Sequence, residues 1–175
     1  MYRGKSEQRG GVMDNQEMDL LGNILISPEL VVLDLEAESD MDAINKLATH
    51  LYNKGIVKET YIPAVQQREV DFCTGLQFET MGVALPHTDS IHVNQQAIAI
   101  GVLKNPVTFH HMGMPDVDVE VSLMFMLAIQ KPEAQITFLG KMMEVFQLDG
   151  CLEQVKNAAN EEEAAKVFRG FFEAE

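Results

Sequence analysis

The stretch Gly82-Val83-Ala84-Leu85-Pro86-His87-Thr88-Asp89-Ser90-Ile91-His92 holds the residue types best able to do chemistry. Val83 to Leu85 is an apolar run of the kind that forms a buried strand. Pro86 stops it, because proline has no amide hydrogen to give a sheet. His87 follows at once, and Thr88, Asp89 and Ser90 favour the start of a helix. The pattern predicts a partly exposed imidazole where a strand edge gives way to a turn or helix start. Free amide hydrogens at such a start can hold an anion. Near neutral pH an imidazole is largely uncharged, and one ring nitrogen carries a free lone pair. That nitrogen can attack phosphorus in line while the other, hydrogen-bonded, fixes the tautomer. On these residues alone, a structural histidine after a strand is the competing reading.

Several elements must position this stretch. Leu30 to Leu33 reads as a first strand. A helix is expected from about Asp40 to Asn53, with Ser39 as its cap, Met41, Ile44, Leu47, Ala48 and Leu51 as its apolar stripe, and Gly55 after its end. A second helix is expected from about Glu59 to Phe72, with Pro63 in its first turn or so. Ile62, Val65, Glu69 and Phe72 share one face of it, and Arg68 falls at the edge of the buried side. After the histidine, Ala97 to Leu103 reads as a strand, Asn105-Pro106 as a turn, Val107 to Phe109 as a short strand and His110 to Pro115 as a loop. Val117 to Ile129 is the longest β-type run and becomes wholly apolar, as a central strand does.

The remainder reads as helix. Pro132 opens one in which Ile136, Leu139, Met143 and Phe146 line a face. Asp149-Gly150 breaks it, a short helix follows around Leu152 to Ala158, and Asn160 with Glu163 caps a last helix. The last helix buries Ala164, Val167, Phe168, Phe171 and Phe172. Strands interleaved with helices in this order predict an α/β sandwich with a mixed central sheet and helices on both faces. Sites in open sheets of this kind lie at strand ends, which suits His87.

Gly82-Val83-Ala84-Leu85-Pro86-His87 resembles the active-site signature of the fructose/mannitol-type enzyme IIA proteins of the bacterial sugar phosphotransferase system. The continuation Thr88-Asp89-Ser90-Ile91-His92 resembles the galactitol-type branch most, and the likeness runs from about Leu20 to the end. It implies a three-layer α/β/α sandwich. It also implies a phosphocarrier, a histidine phosphotransferase serving sugar transport: His87 accepts phosphate from the histidine phosphocarrier protein HPr and passes it to a cysteine of enzyme IIB. A regulatory domain of the same fold, binding partners according to phosphorylation state, is the alternative. An Arg-Glu pair precedes the active-site strand in the family, and Arg68-Glu69 matches it. The resemblance therefore places Arg68 by the phosphoryl group, where a guanidinium can hold two oxygens; an ordinary surface ion pair is the rival reading.

The chain departs from the family at two points. Mannitol- and fructose-type members carry a second histidine near Pro132, where this chain reads Glu133-Ala134-Gln135-Ile136. Gln135 can supply a neutral hydrogen bond instead, with His92 and His110 (or its neighbour His111) as other groups able to approach the ring. Thr88 stands where a glycine often follows the active histidine, and its hydroxyl can cap the turn or touch a phosphate oxygen. The histidines with Asp89 are the donors any zinc site would use, but no compact ligand spacing supports one. No metal and no cofactor are expected.

A length of 175 residues suits one domain. Residues 1–18 read as a leader without stable structure, and 19–175 as a single enzyme IIA domain. The formal charge of −14 argues against nucleic acid and suits a basic partner face. Cys73 and Cys151 are too far apart in sequence for a zinc or redox spacing, and reduced, buried thiols are expected. There is no signal-peptide core and no membrane-length apolar run. The chain is expected in the cytoplasm, touching a membrane only indirectly through the transporter complex.

Overall fold

The computed structural model describes residues 23–174, so the expected leader at 1–18 lies outside the described residues. Elements follow in the order β1 (Val31–Leu35), α1 (Asp40–Asn53), α2 (Tyr61–Asp71), β2 (Gly75–Gln77), β3 (Gly82–Ala84), β4 (Ala97–His110), β5 (Asp118–Ala128), α3 (Ala134–Phe146), α4 (Cys151–Lys156) and α5 (Glu161–Glu173). The five strands form one sheet in the order β1-β4-β5-β3-β2. The β1–β4 and β3–β5 pairs are parallel, and the β4–β5 and β2–β3 pairs antiparallel. The sheet is therefore mixed, as expected.

Strand alternation sends successive side chains to opposite faces. Val83, Leu85, Ile98, Ile100, Leu123, Phe125 and Leu127 pack against α3, α4 and α5 through Phe138, Met142, Val155 and Phe168. Ala84, Ala97, Ala99, Met124 and Met126 pack on the other face, against Leu47, Leu51, Tyr61 and Val65 of α1 and α2. The small alanines there let the helices lie close to the sheet. The result is three layers, α/β/α.

The caps behave as their residues dictate. Ser39 Oγ accepts from the Asp42 amide at 3.1 Å, and Asn160 Oδ1 accepts from the Glu163 amide at 2.8 Å. Gly55 takes a positive φ of 75° just past α1, a backbone region that costs glycine little.

Several expectations need correction. Asn105-Pro106 does not reverse the chain: β4 runs through it as one strand. Between Val102 and Val107 the pairing advances along β5 only from Leu123 to Val121, so Lys104, Asn105 and Pro106 bulge outward and are exposed. A bulge is where a strand tolerates a residue with no amide hydrogen. β2 was not expected; a three-residue strand led by glycine carries too little pattern. In α3 the buried face is Ala134, Phe138, Met142, Val145 and Phe146, while Ile136 is 85% exposed and Leu139 and Met143 are half-buried. Apolar residues cover more than half of that helix's circumference, so periodicity alone could not choose the inward part of the arc. Phe72 lies beyond the end of α2 in extended backbone and is exposed. In α5, Val167 and Phe171 are half-buried. Both cysteines are free; Cys151 is buried as expected, but Cys73 is only half-buried.

Gly82 opens the strand that carries the site, and it is a tight point. A Cβ there would overlap the Glu120 carbonyl oxygen and come within 2.8 Å of Val119 Cγ1. Neither backbone nor a β-branched side chain on the paired strand can swing aside. Gly82→Ala is expected to cost about 2–3 kcal/mol of stability. Urea unfolding checks this: the midpoint falls while the slope is kept.

Candidate functional site

The site forms where β3 ends. Pro86 offers no amide, but its carbonyl accepts from the Leu127 amide at 3.0 Å, so the chain stays pinned to β5 past the last paired residue. Leu127 is held from the other side too, its carbonyl accepting from the Tyr61 hydroxyl at 2.8 Å. Tyr61 is fully buried, and burial pushes its phenol well above the usual range, so it stays a donor. The segment that presents His87 is thus clamped to the central sheet and to α2.

The His87 ring folds back over its own chain. Its Nδ1 lies 2.8 Å from the Leu85 carbonyl oxygen. A carbonyl can only accept, so Nδ1 must carry the hydrogen, and the neutral ring has its lone pair on Nε2. The residue is 6% exposed, more enclosed than expected. Even so, the ring is not sealed. Among the described residues Arg68 Nε is the one side-chain nitrogen or oxygen both closed to solvent and without a partner. His87 Nε2 has no partner either, so it is the edge left open.

Burial is the largest influence on the ring and moves its pKa below the ordinary 6.5; the Leu85 bond opposes this, nearby Arg68 adds to it, and Asp89 opposes it. At neutral pH the ring is uncharged and its Nε2 lone pair is available. Arg68 sits at the inner edge of α2, as expected, with its guanidinium carbon 4.5 Å from the centre of the Phe72 ring. A cation stacked on an aromatic face keeps its outward N–H groups free for an anion.

Gln135, at the start of α3, donates from Nε2 to the Thr88 carbonyl at 3.0 Å. It therefore steadies the backbone after the histidine and is a neutral partner there. Thr88 is buried, but its hydroxyl caps no turn: the single 3₁₀ turn at Ser90–His92 starts from Asp89, without a side-chain cap. The expected helix start is thus one short turn. The amides of Asp89, Ser90 and Ile91 make no hydrogen bond within the described residues.

The other histidines have different partners. His92 Nδ1 lies 2.8 Å from Thr60 Oγ1, and the neighbouring Ile91 carbonyl accepts from Lys58 Nζ at 2.8 Å. Both contacts strap the loop to the start of α2. His110 Nδ1 is 3.6 Å from Asp118 Oδ1 across the β4–β5 hairpin. His111 Nδ1 accepts from the Gly113 and Met114 amides at 3.0 and 3.2 Å. None of the three is among the groups that act on the His87 ring. Among the described residues no three His, Cys, Asp or Glu side chains converge as metal ligands.

Two large apolar side chains stand exposed beside the ring's surroundings. Ile91 is 69% exposed on the loop that follows His87, and Ile136 adjoins Gln135. Reading the sequence missed three contributors: the Leu85 carbonyl, the Tyr61 hydroxyl and Thr74, whose hydroxyl accepts from the Leu85 amide at 3.2 Å. A backbone acceptor leaves no signal in side-chain types. Neither a tyrosine at a helix start nor a threonine just after a helix announces such a bond by its position in the sequence.

Comparisons with known proteins agree with this fold. The family model "Phosphoenolpyruvate-dependent sugar phosphotransferase system, EIIA 2" matches residues 24–170. The galactitol-specific EIIA component of Escherichia coli strain K12 is 34% identical over 108 residues, covering 57% of this chain and 71% of that protein. The mannitol-specific phosphotransferase enzyme IIA component of Staphylococcus aureus strain MRSA252 is 28% identical over 145 residues, covering 82% and 94%. Among solved structures, the complex of mannitol enzyme IIA with phosphorylated enzyme IIB from Escherichia coli aligns with a TM-score of 0.70 at 17% identity, over 84% of this chain and 99% of that one. Among the described residues no helix is long and apolar enough to cross a membrane.

Ring nitrogen chemical shifts test the electrostatics. His87 is expected to titrate below its ordinary 6.5 with the hydrogen on Nδ1. Arg68→Gln removes a positive charge that disfavours the imidazolium, so the titration must move upward. A downward move, or none, contradicts the placement of Arg68.

Proposed function

Because this chain belongs to the EIIA 2 family of the phosphoenolpyruvate-dependent sugar phosphotransferase system, we propose that His87 is the residue on which it carries phosphate, between HPr as donor and a IIB cysteine as acceptor. The protein is a phosphotransferase component and carries its phosphoryl group on a histidine. The observation behind the assignment to His87 is the 2.8 Å contact from Nδ1 to the Leu85 carbonyl, which leaves Nε2 as the nucleophilic nitrogen at the open edge.

Transfer then runs as an in-line displacement. The Nε2 lone pair attacks phosphorus on the phosphohistidine of HPr. The new N–P bond forms as the donor's N–P bond breaks, and the donor imidazole leaves with the electron pair. In the second step a IIB cysteine thiolate attacks the same phosphorus, and His87 leaves as a neutral imidazole. Both transfers conserve a high-energy bond, so the protein has little covalent work to do; it positions groups and stabilises charge. Arg68, the free amides of Asp89, Ser90 and Ile91 and the Thr88 hydroxyl are the groups for the three phosphoryl oxygens. Nδ1 keeps its hydrogen and its Leu85 bond throughout, so no proton need be delivered to the buried side of the ring.

Partners must dock over the open edge. Ile91 and Ile136 supply apolar contact and exclude water, which slows hydrolysis of the phosphohistidine. The charge of −14 suits a basic partner surface and speeds encounter. The relative at 34% identity is galactitol-specific, which supports a polyol or related sugar as the cargo of the transporter served. The chain works in the cytoplasm and meets the membrane through that transporter.

Incubation with purified enzyme I, HPr and labelled phosphoenolpyruvate tests the assignment. The chain is expected to take label on His87, and His87→Ala to take none, while His92→Ala still labels. Arg68→Gln is expected to slow labelling by about tenfold or more, the loss of one charge-assisted contact. Equal labelling of His87→Ala would falsify the assignment.

A further inference from the structure

Glu69 is a carboxyl group in an unusual place. It lies on the inner face of α2, 3% exposed, and among the described residues no cation forms an ion pair with it. Burying a carboxylate without a cation is costly unless hydrogen bonds satisfy it. Thr74 supplies them: its amide donates to Oε1 at 2.9 Å, and its hydroxyl donates to Oε2 at 2.8 Å. With its hydrogen committed to Glu69, the Thr74 hydroxyl turns lone pairs toward the Leu85 amide, which donates to it at 3.2 Å. Leu85 is the residue whose carbonyl accepts from His87 Nδ1 at 2.8 Å. A continuous chain thus runs from α2 to the ring.

We propose that Glu69 is a positioning residue for phosphoryl transfer at His87: through Thr74 it holds the Leu85 backbone in the place where its carbonyl fixes the ring with Nε2 outward. An acceptor-only group at the far end of the chain leaves the Thr74 oxygen to the Leu85 amide, and Oε1, 3.1 Å from the Thr74 hydroxyl, is a second acceptor for its hydrogen. A carboxylate takes both Thr74 donors. A neutral acid or an amide presents a donor of its own, which competes with the Leu85 amide for the Thr74 oxygen and loosens the link.

The same arrangement makes the site sensitive to pH. Burial raises the Glu69 pKa to about 7; the two Thr74 bonds oppose the shift, Asp40 at the start of α1 adds to it, and His110 at the end of β4 opposes it. The Cys73 thiol lies beside the group and is itself raised, first by burial and then by Glu69. Above about 7 the carboxylate holds Thr74 fully, and below it the chain slackens. The transfer rate should therefore rise with pH in two steps, one below 6.5 as His87 loses its proton and one near 7 as Glu69 does.

The full-length chain tests this with two readouts, His87 ring nitrogen shifts and the pH profile of labelling by phosphorylated HPr. Thr74→Val is expected to give a mixture of ring tautomers and to slow labelling by about tenfold, equivalent to one lost hydrogen bond. Thr74→Ser, which keeps the hydroxyl, restores both relative to Thr74→Val. Glu69→Gln is expected to erase the step near 7 and leave the lower one. The proposal is overturned if these variants fold and keep both the single Nδ1–H tautomer and the two-step profile, losing only thermal stability. Should Glu69→Gln not fold, the Thr74 pair decides. The proposal rests on the phosphocarrier reading for its rate readout alone: a native chain that takes no label sinks that reading, while the tautomer readout still judges Glu69.

Discussion

One short hydrogen bond, from His87 Nδ1 to the Leu85 carbonyl, governs the site. It spans only two residues, and that is possible because Pro86 lies between them. Proline gives the ladder no amide, though its carbonyl still accepts from the Leu127 amide, and just past it the ring folds back onto the preceding carbonyl. The bond has three consequences. It selects the tautomer, it turns Nε2 outward, and it restrains a side chain that would otherwise rotate freely about two torsions. Restraint matters because an in-line attack tolerates little misplacement. The surrounding contacts all serve the same position: Leu127 holds Pro86, Tyr61 holds Leu127, Thr74 holds the Leu85 amide, and Gln135 holds Thr88.

Burial and charge act on the ring in the same useful direction. A nucleophilic imidazole must be neutral, and both desolvation and the Arg68 charge disfavour its protonated form. Arg68 then has a second effect. The guanidinium that depresses the ring's basicity is also placed to attract an anion beside Nε2. Its stacking on Phe72 lets it approach the ring without an acidic partner that would compete with phosphate. The chain has 27 acidic residues, yet among the described residues only Asp89 acts on the ring from the acidic side.

Much of the layout was legible in the sequence, because the relevant signals are local. Ser39 and Asn160 announce their helices through side-chain caps that form as read. The wholly apolar run of β5 announces a central strand, and Pro86-His87 announces where β3 must stop. What could not be read depends on contacts between distant segments. The inward side of α3 is set by the sheet it meets, and its apolar arc is wider than the contact, so Ile136 emerged on the surface. β4 passes through Asn105-Pro106 because β5 holds both sides of the bulge. The roles offered to His92 and His110 went instead to partners supplied by α2 and β5, namely Thr60 and Asp118.

Gln135, a neutral group where the resemblance implies a second histidine, also fits this geometry. A second imidazole near the first would be a titrating group, and its charge at mildly acid pH would oppose protonation of His87 while attracting phosphate. Gln135 does neither; its amide donates to the Thr88 carbonyl at any pH. The electrostatic work therefore falls to groups of fixed charge and to burial, with Arg68 the permanent cation. Within the described residues, the remaining titrating carboxyl connected to the ring by hydrogen bonds is Glu69, through Thr74 and Leu85. On the role proposed for Glu69, the proton-sensitive element of the site lies behind the strand, where it acts on the position of the ring.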